Sequence, residues 1–363
     1  MPRVSAIIPA RNEEANVAAC VRSLVAQGLG NDLEIIVADD GSEDRTPAIV
    51  GDLAAEHACV KLVSVPPLPE GWLGKSHALH IAVQHAQSEW LLFTDADTRH
   101  ELRTLAAVVE RAEREGLDLV SFSPRQETRT WWERAVIPRV FQELERLYPF
   151  SRVNDPGDPL AAANGQYILI RRGAYQAVDG HQAVRNEVLE DVELARLVKR
   201  AGFRIWFGSG EGVVRARMYR HLPDMLEGWK KNLFPLYNRD YGAICRASLR
   251  LGGRYILPAF GALLMEIWRA GSLSGLEFLV IVYLGWEHAR FWLKLPDAEA
   301  REKALETFEL VPGVLFFLLL LWDSAAQHRR YGQIQWKGRR YRVAPQELSK
   351  SGAPVETREA REP

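Results

Sequence analysis

The sequence predicts an α/β fold: a mostly parallel sheet flanked by helices, followed by apolar, membrane-associated C-terminal helices. Three observations carry this. Short runs apolar on both faces alternate with segments of helical period, the pattern of a parallel sheet with crossover helices. Three of those runs end in polar clusters, where such sheets bind ligands. Beyond residue 250 come three long stretches rich in Leu, Ile, Val, Phe and Trp.

The elements follow in order. VSAIIPA (4–10), LEIIVADD (33–40), VKLVSV (60–65) and WLLFTDAD (90–97) read as buried strands. Between them NEEANVAACVRSLVAQ, RTPAIVGDLAAEH and KSHALHIAVQHAQ carry the helical period, each opened by a capping or polar residue. A strand at 167–170 leads through Gly173 and Gly180 to LEDVELARLVKRAG, helical over 188–201 and closed by Gly202. MLEGWKKNLFPLY has the pattern of an amphipathic surface helix. The apolar stretches are 251–270, 273–295 and 305–322. Arg254, Glu266, Glu277, Glu287, His288 and Arg290 interrupt the first two, and the clean run of the third falls short of the roughly 20 residues a span needs. Buried soluble helices are the competing reading, and Trp and Tyr near the ends favour an interface. The expected division is a catalytic region over 1–240, a membrane-associated helical region over 241–330, and a basic, then disordered, tail over 331–363.

Composition narrows the function. Lys plus Arg (46) nearly balance Asp plus Glu (47), for a net charge of -1, so global charge gives no sign of a nucleic-acid binder. The three cysteines are far apart and form neither a disulfide framework nor a zinc set. MPRVSAIIPARNEE reaches only a short apolar run before charges intervene, so it reads as neither a secretory signal nor an anchor.

The strand ends deliver Arg11, Asn12 and Glu13; Asp39 and Asp40; and Asp95 and Asp97. Each has a plainer account: Asn12 as a helix cap with acids behind it, ADDGSED as an Asp/Gly turn, DAD as two exposed acids. Yet Asp95 and Asp97 repel each other, and a cation is the economical answer. Hard oxygen ligands without Cys or a clear His set point to Mg²⁺ or Mn²⁺, ions usually shared with substrate phosphates. Lys75, behind Gly71, Trp72 and Gly74 at a helix start, is either placed to face phosphate oxygens or a solvated lysine. His77, His80 and His85 lie among apolar residues and read as packing or surface groups. No GxGxxG follows the first strand and no GxxxxGK[ST] occurs, which removes the main support for dinucleotide and P-loop chemistry.

IIPARNEE, IIVADDGSEDRT and LLFTDAD, in this order and spacing, resemble the three successive signatures of the family 2 glycosyltransferases. The resemblance implies the GT-A fold and a nucleotide-diphosphate sugar donor. It implies donor contacts from Pro9, Ala10, Arg11, Asn12 and Glu13, from Asp39 or Asp40, and a divalent ion on Asp95 and Asp97, with Asp97 the more direct ligand. Asp191 matches the position of the catalytic base of inverting members, with Glu190 beside it; acids matched to a helix dipole are the alternative. A carboxylate there takes the proton of an acceptor hydroxyl as it attacks the anomeric carbon. The GWLGK, NGQYILI and EGWKKNLF elements are similar to the branch that glycosylates lipids, including carotenoid, hopanoid and ceramide glycosyltransferases, in which Trp229, Lys230 and Lys231 would match an acceptor-side segment. LEGWKKN departs from the QxxRW pattern of processive synthases, so polymerisation is not expected.

The expected function is thus metal-dependent, inverting sugar transfer to a lipid-like acceptor at the cytoplasmic face of the cell membrane, without nucleic acid. Transfer to a polyprenyl phosphate and a catalytically silent, membrane-anchored nucleotide-sugar binder are the alternatives. A cytoplasmic catalytic region and a basic HRRYGQIQWKGRRYR on the same side require an even number of crossings, hence two spans, with the remaining apolar stretch in the interface or buried.

Overall fold

The computed structural model describes residues 3–257, 298–331, 333–337 and 339–342. In chain order its first strands are β1 (Val4–Ala10), β2 (Leu33–Asp39), β3 (Val60–Ser64), β4 (Trp90–Phe93) and β5 (Thr98–His100). Then come β6 (Leu119–Ser123), β7 (Arg125–Gln126), β8 (Ile168–Arg171), β9 (Ile205–Ser209) and β10 (Val214–Ala216). Seven of them form the central sheet in the order β3-β2-β1-β4-β8-β6-β9. It is parallel except for β8, which runs antiparallel to both β4 and β6. β5, β10 and β7 make a small second sheet beside it.

β1, β2 and β4 are buried on both faces, as their sequences require, whereas β3, at the edge of the sheet, exposes Lys61 and Ser64 and is not the buried strand expected of VKLVSV. Ile7, Ile36 and Leu91 enter one hydrophobic cluster while their neighbours Ile8, Val37 and Leu92 enter the other, the alternation that a pleated strand imposes. The helices α1 (Val17–Val25), α2 (Thr46–Glu56), α3 (Gly74–His85) and α4 (Thr104–Glu115) connect the first strands. α5 (Trp131–Leu147), α6 (Phe150–Val153), α7 (Arg172–Ala177), α8 (Gly180–Ala183) and α9 (Glu190–Arg200) follow. After them come α10 (Leu222–Leu236), α11 (Tyr241–Leu251) and the long α12 (Ala298–Tyr331). The ends differ from the sequence expectation in a consistent direction. β2 stops at Asp39 and β4 at Phe93, and α1 begins only at Val17, so the polar clusters occupy loops beyond the sheet.

Two C-terminal elements need correction. α10 is not a surface helix: Met225, Trp229, Leu233 and Phe234 are buried in the core. α12 contains a segment, Val311–Arg329, long and apolar enough to cross a membrane by length and composition. One side of it, Val314, Phe317, Leu320, Leu321 and Ala325, is buried in the cluster that holds the core residues of α5 and α10. Gly313 lets the backbones meet, since a Cβ there would lie 2.1 Å from the Ala135 carbonyl oxygen. The other side exposes Leu315, Leu319 and Trp322. Most of the stretch 251–270, all of 273–295 and the tail from 343 lie outside the described residues.

Candidate active site

Two loops at the carboxyl edge of the sheet are clasped together by short polar side chains. The Asn12 backbone N–H donates to Ser42 Oγ at 2.9 Å, and Glu43 N–H returns the bond to Asn12 Oδ1 at 2.8 Å. Glu13 N–H donates to Thr46 Oγ1 and Glu14 N–H to Asp44 Oδ2. Asn12 therefore caps no helix; its φ of 53° is the left-handed bend that Asn tolerates better than most residues. The Arg11 guanidinium donates to the Asp40 carbonyl at 2.6 Å. The two motifs are thus one device, each supplying the partners the other lacks.

The chemistry-bearing acids converge below this clasp. Asp95 follows β4, and Lys75 in the first turn of α3 places Nζ 2.9 Å from Asp95 Oδ1 and 2.9 Å from Glu190 Oε1 at the start of α9. Asp97 receives both its hydrogen bonds from Gln166 Nε2, at 3.3 Å each. Asp191 accepts from the Gly165 N–H and the Val192 N–H, each at 2.8 Å. At Gly165 a Cβ would sit 2.8 Å from Lys75 Nζ and 3.4 Å from Asp191 Oδ2, so any side chain there would displace the lysine ammonium. The segment before β8 therefore binds the DAD pair to the ED pair, through Gln166 on one side and Gly165 on the other.

The electrostatics separate these acids. Burial, then Asp95 and Glu13, push the Asp97 carboxyl up to about 7. Burial and the neighbouring Glu190 raise Asp191 to about 6. Burial would also raise Glu190, but Lys75 and Lys231 hold it below the ordinary carboxylate value. Burial opposes the charge of Lys75, yet Asp95, Glu190 and Asp191 together keep its pKa well above that of a free lysine. Of the two α9 acids, Glu190 is thus an ion-paired carboxylate, and Asp191 is poised to take a proton near neutral pH.

All of this opens into one cavity of about 630 Å³. Pro9, Ala10, Arg11, Asn12, Glu13, Asp40, Lys75, Asp95, Asp97, Glu190 and Asp191 line it. Asp39 does not border it: Asp39 Oδ2 accepts from Ser42 N–H, and Oδ1 is buried with no hydrogen-bond partner among the described residues. Trp229 lines the cavity, but Lys230 does not. Its Nζ lies 2.7 Å from Asp323 Oδ2 on α12, and it is the next residue, Lys231, that faces the cavity. His77 and His80 pack on Trp72 at ring distances of 5.5 and 5.0 Å. Sequence reading missed Gln166, Gly165 and Arg220 in the lining, whose only signals were the NGQ triplet and an arginine beside a strand.

The acids suit a divalent cation. Asp97 is a half-buried carboxyl near Asp95 and Glu13, and its side-chain hydrogen bonds among the described residues come from the neutral amide of Gln166. No group of three or more His, Cys, Asp or Glu able to hold a metal occurs among the described residues. Two carboxylates that leave the remaining positions to water and phosphate are the usual provision for Mg²⁺ or Mn²⁺.

Comparisons with known proteins bear on the family and the fold. Residues 5–179 match the model of Glycosyl transferase family 2, a match that ends before Glu190 and Asp191. The 4,4'-diaponeurosporenoate glycosyltransferase of Staphylococcus aureus (strain MRSA252) is 26% identical over 345 residues, covering 94% of this chain and 88% of that protein. Among solved structures, the mannosyltransferase PcManGT of Pyrobaculum calidifontis, in complex with GDP-Man and Mn²⁺, superposes with a TM-score of 0.53 at 21% identity. It covers 91% of this chain and 87% of its own.

Proposed function

This chain carries a family 2 glycosyltransferase domain of the GT-A fold, and from that premise we propose that it transfers a sugar, with inversion, from a nucleotide-diphosphate sugar to a lipid-like hydroxyl acceptor at the cytoplasmic membrane face. The observation that carries the reading is the convergence of Asp95, Asp97, Lys75 and Asp191 on one cavity. The Pro9–Glu13 loop and Asp40 would hold base and ribose. A divalent cation on Asp95 and Asp97, when bound, offsets the charge of the departing diphosphate.

Asp191 takes the acceptor's hydroxyl proton as the oxygen attacks, and the Gly165 and Val192 N–H groups fix its orientation. A single displacement needs one base and no carboxylate nucleophile. Glu190, committed to Lys75, fits that count as the group that positions the lysine. The lipid-like acceptor is supported by Phe141, Leu144, Tyr148, Phe150 and Phe207 in the cavity wall. It is supported also by the relative named for 4,4'-diaponeurosporenoate. The membrane is supported by the outward Leu315, Leu319 and Trp322 of α12, next to exposed Leu249 of α11. The test is mass spectrometry of extracted lipids after incubating the membrane fraction with several nucleotide sugars, with and without EDTA. A metal-dependent hexosyl adduct is the expected product. Absence of both adduct and slow donor hydrolysis would leave only a silent binder.

A further inference from the structure

The basic stretch after α12, read in the sequence only as a mark of membrane side, folds back onto the donor loops. Gln333–Trp336 (β11) and Arg339–Arg342 (β12) pair antiparallel, with Trp336 opposite Arg339. At the bend, Lys337 has a φ of 46°, as tight hairpin turns require. Its Nζ donates to the Arg11 carbonyl at 2.8 Å and to Glu13 Oε1 at 2.5 Å, and it borders the same cavity as Asp95 and Asp97. Arg339 donates to Asp40 Oδ2 at 2.5 Å and approaches the Asp40 carbonyl. One cation of the hairpin thus meets the loop after β1, and the other meets the loop after β2.

We infer that Lys337 is a donor-binding residue, carried on a C-terminal strap that Arg339 fastens to Asp40 and that lies over the nucleotide diphosphate. This rests on the proposed donor. The cavity gathers Glu13, Asp40, Asp95, Asp97, Glu190 and Asp191, so a diphosphate entering it meets mostly like charge. Lys75 is already shared between two carboxylates. Lys337 adds a further cation to Arg11, Arg220 and Lys231, which line the same cavity. An ammonium has three N–H donors, and its two described contacts leave one for a phosphate oxygen. While held by Glu13 and Asp40, the strap is aligned for the donor before the donor arrives.

The experiment uses the full chain, with UDP and GDP as probes in the presence of MnCl₂. Calorimetry on Lys337→Ala is expected to show nucleotide binding weakened roughly tenfold or more, the scale of one charge-assisted contact, while Lys337→Arg stays within about threefold of wild type. In the wild-type chain, UDP or GDP should slow tryptic cleavage after Lys337 and Arg339, while the parent nucleoside should not. Tighter binding by Lys337→Ala, or faster cleavage with nucleotide, overturns the strap and makes the hairpin a plug. A wild-type chain that binds neither nucleotide overturns the donor reading and the strap with it. Wild-type binding with an unaffected Lys337→Ala overturns the strap alone.

Discussion

Asp191→Asn separates a catalytic base from an acid that merely suits a helix N-terminus, because the two roles predict opposite effects on stability. The Asp191 carboxyl stands at about 6 against an ordinary 3.8, raised by burial and by Glu190. The folded chain therefore binds a proton that the unfolded chain has released between those two values. That contribution is fully present below the unfolded pKa and is lost as pH rises through the folded one. At about 1.4 kcal/mol per unit, the ionised carboxylate costs on the order of 2–3 kcal/mol at pH 8. Asn carries no charge to desolvate but accepts only part of what Gly165 and Val192 donate, which trims the gain to about 1–2 kcal/mol. Melting by calorimetry should thus show Asp191→Asn more stable than wild type at pH 8, by a few degrees, with the advantage gone at pH 4. Turnover should fall about a hundredfold or more. Wild-type kcat should drop as pH falls through about 6 while the residual rate of the variant stays flat. Retained turnover would move the base to Glu190. A variant less stable at both pH values would reduce Asp191 to a helix-dipole acid.

Asp97→Asn should abolish turnover and remove the manganese dependence of donor binding while leaving the chain folded; unchanged manganese dependence would refute Asp97 as a ligand. Gly165→Ala drives a methyl to 2.8 Å from Lys75 Nζ, so it should lower kcat at least tenfold with the chain still folded; wild-type kinetics would show that the close approach does not constrain the site. Replacing Leu315 and Leu319 by Gln leaves the buried face of α12 untouched. It should release the chain from vesicles and reduce transfer to lipid acceptors, with donor binding intact, and undiminished vesicle binding would refute this face as the membrane contact.

Much of the site was legible because its residues are chemically conspicuous and stand at strand ends, where the parallel sheet gathers them. Asp95 and Asp97 stood out by pattern, Lys75 by its place at a helix start, and Asp191 only through the family resemblance. What escaped was whatever depends on non-local contact. Gly165 and Gln166 look like ordinary polar residues before a strand, and only the fold sets them between Asp97 and Asp191. Asp39 and Asp40 are adjacent in sequence, yet the end of β2 turns one into the loop bonds and the other into the cavity. Lys230 and Lys231 diverge because successive positions on α10 point about a hundred degrees apart. One therefore meets Asp323, and the other faces the acids.

The C-terminal region shows the same limit in hydropathy. A window of apolar residues cannot tell a helix surrounded by lipid from one packed on protein along half its circumference, since both need the same residues. In α12, Val314, Phe317 and Leu321 turn inward while Leu315, Leu319 and Trp322 turn outward. Ser324 binds the helix to α10, accepting from Phe234 N–H and donating to the Lys230 carbonyl. α12 is thus packed into the same core as α5 and α10. The hairpin after Tyr331 returns to the loops after β1 and β2, where Lys337 meets Glu13 and Arg339 meets Asp40. A chain cut after Tyr241 would lose the partner of α5 and α10 as well as Lys337 and Arg339, so it should aggregate and fail to bind donor, where a modular anchor would leave donor binding intact.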